Sequence, residues 1–138
     1  MTPNPTSDNL KKILIVEDDT SLLMTLTTKL TLEGFAVLQA HNGQEGLDIA
    51  IKEHPDLILL DIIMPVMDGM TMFNKLQEDT WGRTAKIIFL TNVADNQKWS
   101  NVLGGQDYMV KSSWRLDDVV GVIKKKLGVQ SPPISPPK

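Results

Sequence analysis

Four apolar runs of the chain each end on side chains that could do chemistry. The first run ends on Glu17 and Asp18, and the other three end on Asp61, Thr91 and Lys111. Short, unbroken apolar runs are typical of strands that are buried on both faces of a parallel sheet. The carboxyl ends of parallel strands meet at one edge of the sheet, where ligands bind. We therefore expect these side chains to converge there, although they are distant in sequence.

The residue types in this set predict one kind of reaction. Clustered carboxylates repel one another unless a cation lies among them, and oxygen ligands without cysteine or a nearby histidine favour a hard ion such as Mg²⁺. A lysine can pair with phosphoryl oxygens and a threonine can donate a hydrogen bond to them. A carboxylate can be the nucleophile in phosphoryl transfer, which relies mainly on positioning and charge neutralisation. Thr91 or Lys111 alone would be an ordinary strand-end hydroxyl or a solvated charge, so the prediction rests on the whole set.

The elements that must position these residues alternate along the chain, strand then helix, five times. Gly34, the Asn42-Gly43 pair, Pro55 and Gly128 separate them. Thr20 or Ser21 is expected to cap the first helix, with Asp19 as an acidic residue at its start. A weak helix is predicted at 94–103. The pattern predicts an α/β fold with a doubly wound parallel sheet and helices on both faces.

Composition limits the other classes of function. The chain has 138 residues, 41% of them hydrophobic, which suits one domain with one core. We divide it into an arm at 1–9, a domain at 10–128 and a Pro-rich disordered tail at 129–138. The net charge is −3 without a basic run, so we expect no direct nucleic-acid binding. The absence of cysteine excludes disulfides and suits a cytoplasmic protein. No apolar stretch approaches membrane-spanning length, so we expect no membrane association.

Residues 11–128 resemble the receiver domain of bacterial two-component response regulators. The run from Asp61 to Gly69, Asp-Ile-Ile-Met-Pro-Val-Met-Asp-Gly, is the most specific part of this resemblance. Val-Glu-Asp-Asp at 16–19 and Tyr-Met-Val-Lys at 108–111 support it. The resemblance implies a flavodoxin-like fold with five parallel strands in the order 2-1-3-4-5.

The resemblance also implies a role for individual residues. Asp61 would be the phosphoacceptor, and Mg²⁺ would be bound by Asp18, Asp61 and the backbone carbonyl of Ile63. Glu17 would contact the ion through water, and Lys111 would pair with the phosphoryl group. The remaining implied roles are a hydrogen bond from Thr91 to the phosphoryl group, a backbone contact from Asn92, and an inward movement of Tyr108.

Three features depart from the family pattern. Ser112 stands where a proline usually follows the lysine, and Asn92 stands where a small residue usually follows the threonine. The segment between Thr91 and Lys111 is also slightly short, which predicts a reduced fourth helix. The family usually has a cis peptide before that proline. Because Lys111 must still face the phosphoryl group, we expect a cis Lys111-Ser112 bond despite its cost of about 2.5–4 kcal/mol.

The resemblance implies a stand-alone receiver that takes a phosphoryl group from a histidine kinase or a histidine phosphotransfer protein. It would catalyse only its own phosphorylation and dephosphorylation, and would contact a downstream protein through its fourth helix, fifth strand and fifth helix, about residues 94–128. Ten residues follow Gly128, so no output domain is expected. One alternative is an aspartyl-phosphate hydrolase of the haloacid dehalogenase type, against which Ile63 argues because a second acid is needed at that position. The other is a receiver-like module that binds partners without phosphorylation.

Overall fold

The computed structural model describes residues 10–64, 66–91, 107–111 and 114–129. Strands and helices alternate along the described chain. The strands are β1 (Lys12–Val16), β2 (Ala36–Ala40), β3 (Leu57–Asp61), β4 (Ile87–Thr91) and β5 (Asp107–Val110). The helices are α1 (Thr20–Leu32), α2 (Gly43–Glu53), α3 (Gly69–Gln77) and a C-terminal helix (Leu116–Leu127), with a 3₁₀ turn at Gly82–Thr84.

The five strands form one sheet in the order β2-β1-β3-β4-β5, and every neighbouring pair is parallel. This is the flavodoxin-like arrangement that the resemblance implied. The register places Asp61 beside Leu90, and Thr91 beside Val110. The strand ends that carry the candidate site residues therefore lie at the same edge of the sheet.

Two hydrophobic cores, one on each face of the sheet, explain the unbroken apolar runs. Leu14, Ile58 and Phe89 belong to the core that also contains Met72 of α3. Their chain neighbours belong to the opposite core, which α1 and the C-terminal helix cover; these neighbours include Ile13, Ile15, Leu57, Leu59, Ile88 and Leu90. Because successive side chains of a strand point to opposite faces, a strand covered on both sides needs apolar residues at every position.

Side-chain caps fix where the helices begin. Asp19 caps α1 by accepting a hydrogen bond from the Leu22 amide at 3.1 Å. The prediction that Thr20 or Ser21 would be the cap was wrong, because the chain is already helical at Thr20 and Asp19 supplies the acceptor. Asn42 and Asp68 cap α2 and α3 in the same way. These caps set the first turns of three helices at the edge of the sheet that carries the site.

Several predictions fall outside the described residues. They concern the arm at 1–9, the helix at 94–103, the backbone contact of Asn92, the Lys111-Ser112 peptide and the tail from 130 onward. Among the helices that the structure describes, none is long and apolar enough to span a membrane.

Candidate active site

The structure brings the acidic residues and the lysine together at the carboxyl edge of the sheet. Glu17 and Asp18 directly follow β1, Asp61 is the last residue of β3, and Lys111 directly follows β5. Glu17 and Asp61 are buried, with 0% and 3% of their surface exposed, whereas Asp18 is exposed. Two carboxylates thus lie out of solvent at the same point, which requires a compensating positive charge.

The three carboxylates form a cluster that suits a cation. One oxygen from each of Glu17, Asp18 and Asp61 lies within 4.8 Å of the others. The backbone holds Glu17 in place, because its amide donates to the Ala40 carbonyl at 3.0 Å and its Oε2 accepts from the Asp19 amide at 3.0 Å. The second of these bonds keeps the Glu17 side chain turned toward the cluster.

Lys111 supplies positive charge to this cluster. Its Nζ lies 2.7 Å from Oε1 of Glu17 and 3.2 Å from Oδ2 of Asp61. Burial alone would lower the pKa of Lys111, but the two carboxylates outweigh that effect and raise the pKa above its ordinary value. Lys111 therefore remains charged and bridges the two buried acids.

The surroundings of Asp61 disfavour its charged form. Burial and, after it, repulsion from Glu17 raise the pKa of Asp61 from 3.8 to about 7, although Lys111 acts to lower it. One lysine is thus too little positive charge for two buried carboxylates and a third beside them. A ligand that brings further positive charge would favour the ionised form of Asp61.

The donor set of this site fits a hard divalent cation. The site opens as a cleft of about 500 Å³, which Glu17, Asp18, Asp61, Ile63 and Lys111 line. Oε1 of Glu17 is buried and, within the described part of the chain, receives no hydrogen bond of good geometry although Lys111 is close. A buried carboxylate oxygen with spare acceptor capacity, beside two further carboxylates, is the kind of ligand that Mg²⁺ and water bound to it would use.

Two further predicted residues lie on β4 and β5, the strands beside β3 on the side away from β1. Thr91 is buried at the end of β4, where its exposed fraction is 1%. Tyr108, on β5, is partly buried and packs against the core that contains Phe89. Their positions are compatible with the implied roles, and those roles stay predictions. The two histidines lie outside the carboxylate cluster. Both are exposed, and His54 stacks on Trp81.

Sequence reasoning missed two features of the site. Lys111 was assigned only to the phosphoryl group, whereas its shortest contact here is with Glu17. The contact depends on how β5 lies relative to β1, and no local sequence pattern predicts the distance between these two strands. The second feature is the attachment of the β3–α3 loop (Ile62–Asp68) to α2, where the Gly43 amide donates to the Met67 carbonyl. The Asn42-Gly43 pair is the sequence signal at this point, and by itself it indicates only a break between two elements.

Comparison with known proteins agrees with this geometry. The family model of the response regulator receiver domain matches residues 13–124. The chain therefore belongs to the family of receiver domains of two-component response regulators. Receiver domains interact with histidine kinases or histidine phosphotransfer proteins.

Individual relatives differ in how much of their length this chain covers. The chain is 38% identical over 105 residues to the probable transcriptional regulator ycf27 of Cyanophora paradoxa, covering 75% of this chain and 43% of that protein. It is 32% identical over 123 residues to sporulation initiation phosphotransferase F of Bacillus subtilis, covering 88% of this chain and 97% of that protein. The chain spans about two fifths of the length of the ycf27 regulators that it matches.

A solved structure shares the fold. Response regulator protein TrrA from Thermotoga maritima, in complex with Mg²⁺ and BeF, is 30% identical and has a TM-score of 0.74. The match covers 85% of this chain and 99% of that one. The fold and the acidic cluster together suggest a divalent metal site in this chain.

Proposed function

We propose that this domain accepts a phosphoryl group on Asp61 from a phosphohistidine, with Mg²⁺ bound beside it. The phosphohistidine belongs to a histidine kinase or to a histidine phosphotransfer protein. The observation that carries the proposal is the convergence of Lys111 and two further carboxylates on a buried Asp61 at the bottom of an open cleft. The modified domain then changes its affinity for a downstream protein.

The transfer reaction uses the chain's own groups in defined roles. An Oδ of Asp61 attacks the phosphorus, and a P–O bond forms as the P–N bond of phosphohistidine breaks. The electron pair of the broken bond stays on the imidazole nitrogen, which leaves as the product. The Lys111 ammonium, 3.2 Å from Oδ2 of Asp61, is placed to pair with the phosphoryl oxygens as they arrive. Catalysis of this kind depends on positioning and on neutralised charge.

The acidic residues would hold the metal ion. Asp18, Asp61 and the backbone carbonyl of Ile63 are the proposed ligands, and Glu17 acts through water. When bound, Mg²⁺ neutralises the carboxylates and the incoming phosphoryl oxygens. The complex of the relative TrrA with Mg²⁺ and BeF supports the presence of a metal ion at this site, whereas the individual ligands are our proposal.

The response to phosphorylation would pass through Thr91 and Tyr108. The Thr91 hydroxyl donates to the new phosphoryl group, and Tyr108 turns inward behind it, which biases a two-state surface. Output then occurs through the surface formed by about residues 94–128, which includes β5 and the C-terminal helix. The domain turns over no substrate other than its own acyl phosphate.

Phosphorylation with a small donor tests this proposal. The domain is treated with acetyl phosphate and Mg²⁺, and the modified residue is located by mass spectrometry. Wild type should gain one phosphoryl group on Asp61, and Asp61→Asn should gain none while its circular dichroism is unchanged. Asp48→Asn removes an exposed carboxylate from α2 and serves as the control that should be modified normally. Unmodified wild type, or modification of Asp61→Asn at another acid, would overturn the assignment.

A further inference from the structure

The β3–α3 loop, which carries Ile63, begins with a bond from the Ile62 amide to the Leu90 carbonyl of β4 at 3.1 Å, and two further backbone hydrogen bonds among the described residues hold it. Inside the loop, the Gly69 amide donates to the Ile62 carbonyl at 2.8 Å. Outside it, the Gly43 amide at the start of α2 donates to the Met67 carbonyl at 2.9 Å. The bond from Gly69 closes the loop on itself, and the bond from Gly43 ties it to a separate helix.

Gly43 approaches the loop more closely than any other residue type could. A Cβ at this position would lie 2.3 Å from the Met67 carbonyl oxygen and 2.9 Å from its carbon. Both atoms belong to the backbone, so no side-chain movement could relieve the overlap. Only glycine therefore permits this hydrogen bond without displacing the loop.

The loop is strained next to the point where Gly43 holds it. Val66 has a φ of 69°, which is an outlier for a β-branched residue, and its side chain is 84% exposed. Exposure gives this side chain little packing that could hold the backbone in such a conformation. A strained backbone persists only where its surroundings fix it. The bond from Gly43 to the adjacent Met67 is a restraint of this kind.

We propose that Gly43 is a positioning residue, which holds the β3–α3 loop so that the Ile63 carbonyl faces the carboxylate cluster. The inference rests on the proposed function, in which that carbonyl is a metal ligand. Gly43 contacts neither the ion nor the phosphoryl group, and it acts only through Met67 and the loop. Partners that orient metal ligands in this way typically contribute about 10–100-fold to metal affinity.

Metal binding by Gly43→Ala tests the proposal. The dissociation constant is measured with Mn²⁺ by electron paramagnetic resonance, and with Mg²⁺ by competition, so that no phosphorylation is needed. We expect Gly43→Ala to bind about 10–100-fold more weakly than wild type. Acetyl phosphate labelling should slow in parallel at subsaturating Mg²⁺ and recover at saturating Mg²⁺.

Two glycine variants separate positioning from general loss of stability. Gly46→Ala lies on the same helix, but its Cβ meets the side chains of Val16 and Met72 in the core. It should lower stability and leave metal affinity at the wild-type value. Gly121→Ala faces open space inside the C-terminal helix, so it should leave metal affinity unchanged and should raise stability, because alanine is more favourable than glycine in a helix. Equal losses of metal affinity in Gly43→Ala and Gly46→Ala would overturn the proposal, because the effect would then be structural.

A milder pair of variants applies if Gly43→Ala does not fold. Asn42 caps α2 by accepting from the Glu45 amide at 2.9 Å, so Asn42→Ala should loosen the turn that carries Gly43. Asn42→Ser can restore the cap. Metal affinity should fall in the alanine variant and return in the serine variant, and equal affinities in both would overturn the inference.

Failure of the inference differs from failure of the proposed function. If wild type bound Mn²⁺ no better than Asp18→Ala, both would be overturned. If wild type bound the ion and Gly43→Ala bound it equally well, only the positioning role would be lost.

Discussion

Replacing Asp61 with asparagine should stabilise the metal-free domain at neutral pH. The carboxylate is buried beside Glu17, and these surroundings raise its pKa to about 7. The native state therefore binds the Asp61 proton more tightly than the unfolded chain does. The contribution of Asp61 to the free energy of unfolding is fully present below its ordinary pKa of 3.8, and it is lost as the pH rises toward 7. Asparagine keeps the shape of the side chain and cannot ionise. The variant should therefore keep its free energy of unfolding as the pH rises.

The size of the pKa shift of Asp61 sets the expected gain in the free energy of unfolding. Each unit of pKa corresponds to about 1.36 kcal/mol, which sets a ceiling of about 4 kcal/mol for the difference between the two proteins above pH 7. The native protein can relax around the charge and admit water, so we expect Asp61→Asn to gain about 1–3 kcal/mol. The gain should be near zero at pH 4 and should grow up to pH 7.

Urea unfolding at several pH values, with a chelator present, measures the gain. Asp48→Asn is the control, because it removes one exposed carboxylate of α2 and should show no such rise with pH. Adding Mg²⁺ should reduce the difference, because the ion stabilises wild type through Asp61. A variant that is less stable than wild type at pH 7.5, or a difference that does not vary with pH, would refute the electrostatic reasoning.

Three further predictions concern binding, switching and packing. Mg²⁺ at about 100 times its Kd should stabilise wild type by about 2.7 kcal/mol in a thermal unfolding titration, and Asp18→Ala should lose most of this gain. Thr91→Ala should still be phosphorylated, yet partner binding measured by calorimetry should change less than in wild type; an unaltered response would contradict the coupling. Trp81 stacks on His54 with ring centroids 4.3 Å apart, and Trp81→Leu should therefore lower the free energy of unfolding by about 0.5–1.5 kcal/mol beyond its loss of buried area. Urea unfolding would check this value, and no loss would show that the stack does not stabilise the fold.

The sequence was sufficient to predict the architecture because the sheet is buried on both faces. All positions of β1, β3 and β4 except those at the strand ends must then be apolar, and the resulting runs are visible without a structure. Their ends also identify Asp61 and Thr91, since polar residues interrupt such runs only at an edge of the sheet. The helix boundaries were less certain, as the cap at Asp19 shows, because acidic and hydroxyl residues at adjacent positions can all be caps.

Tertiary structure alone decided how the site residues contact one another. The ion pair between Glu17 and Lys111 joins residues at the ends of β1 and β5, and its distance depends on the twist and spacing of the whole sheet. The raised pKa of Asp61 likewise depends on burial by several elements at once. The bond from Gly43 to Met67 joins the start of α2 to the β3–α3 loop, which sequence patterns treat separately. Local sequence determines which residues reach the carboxyl edge of the sheet, whereas distances, burial and charge between them are collective properties of the packed fold.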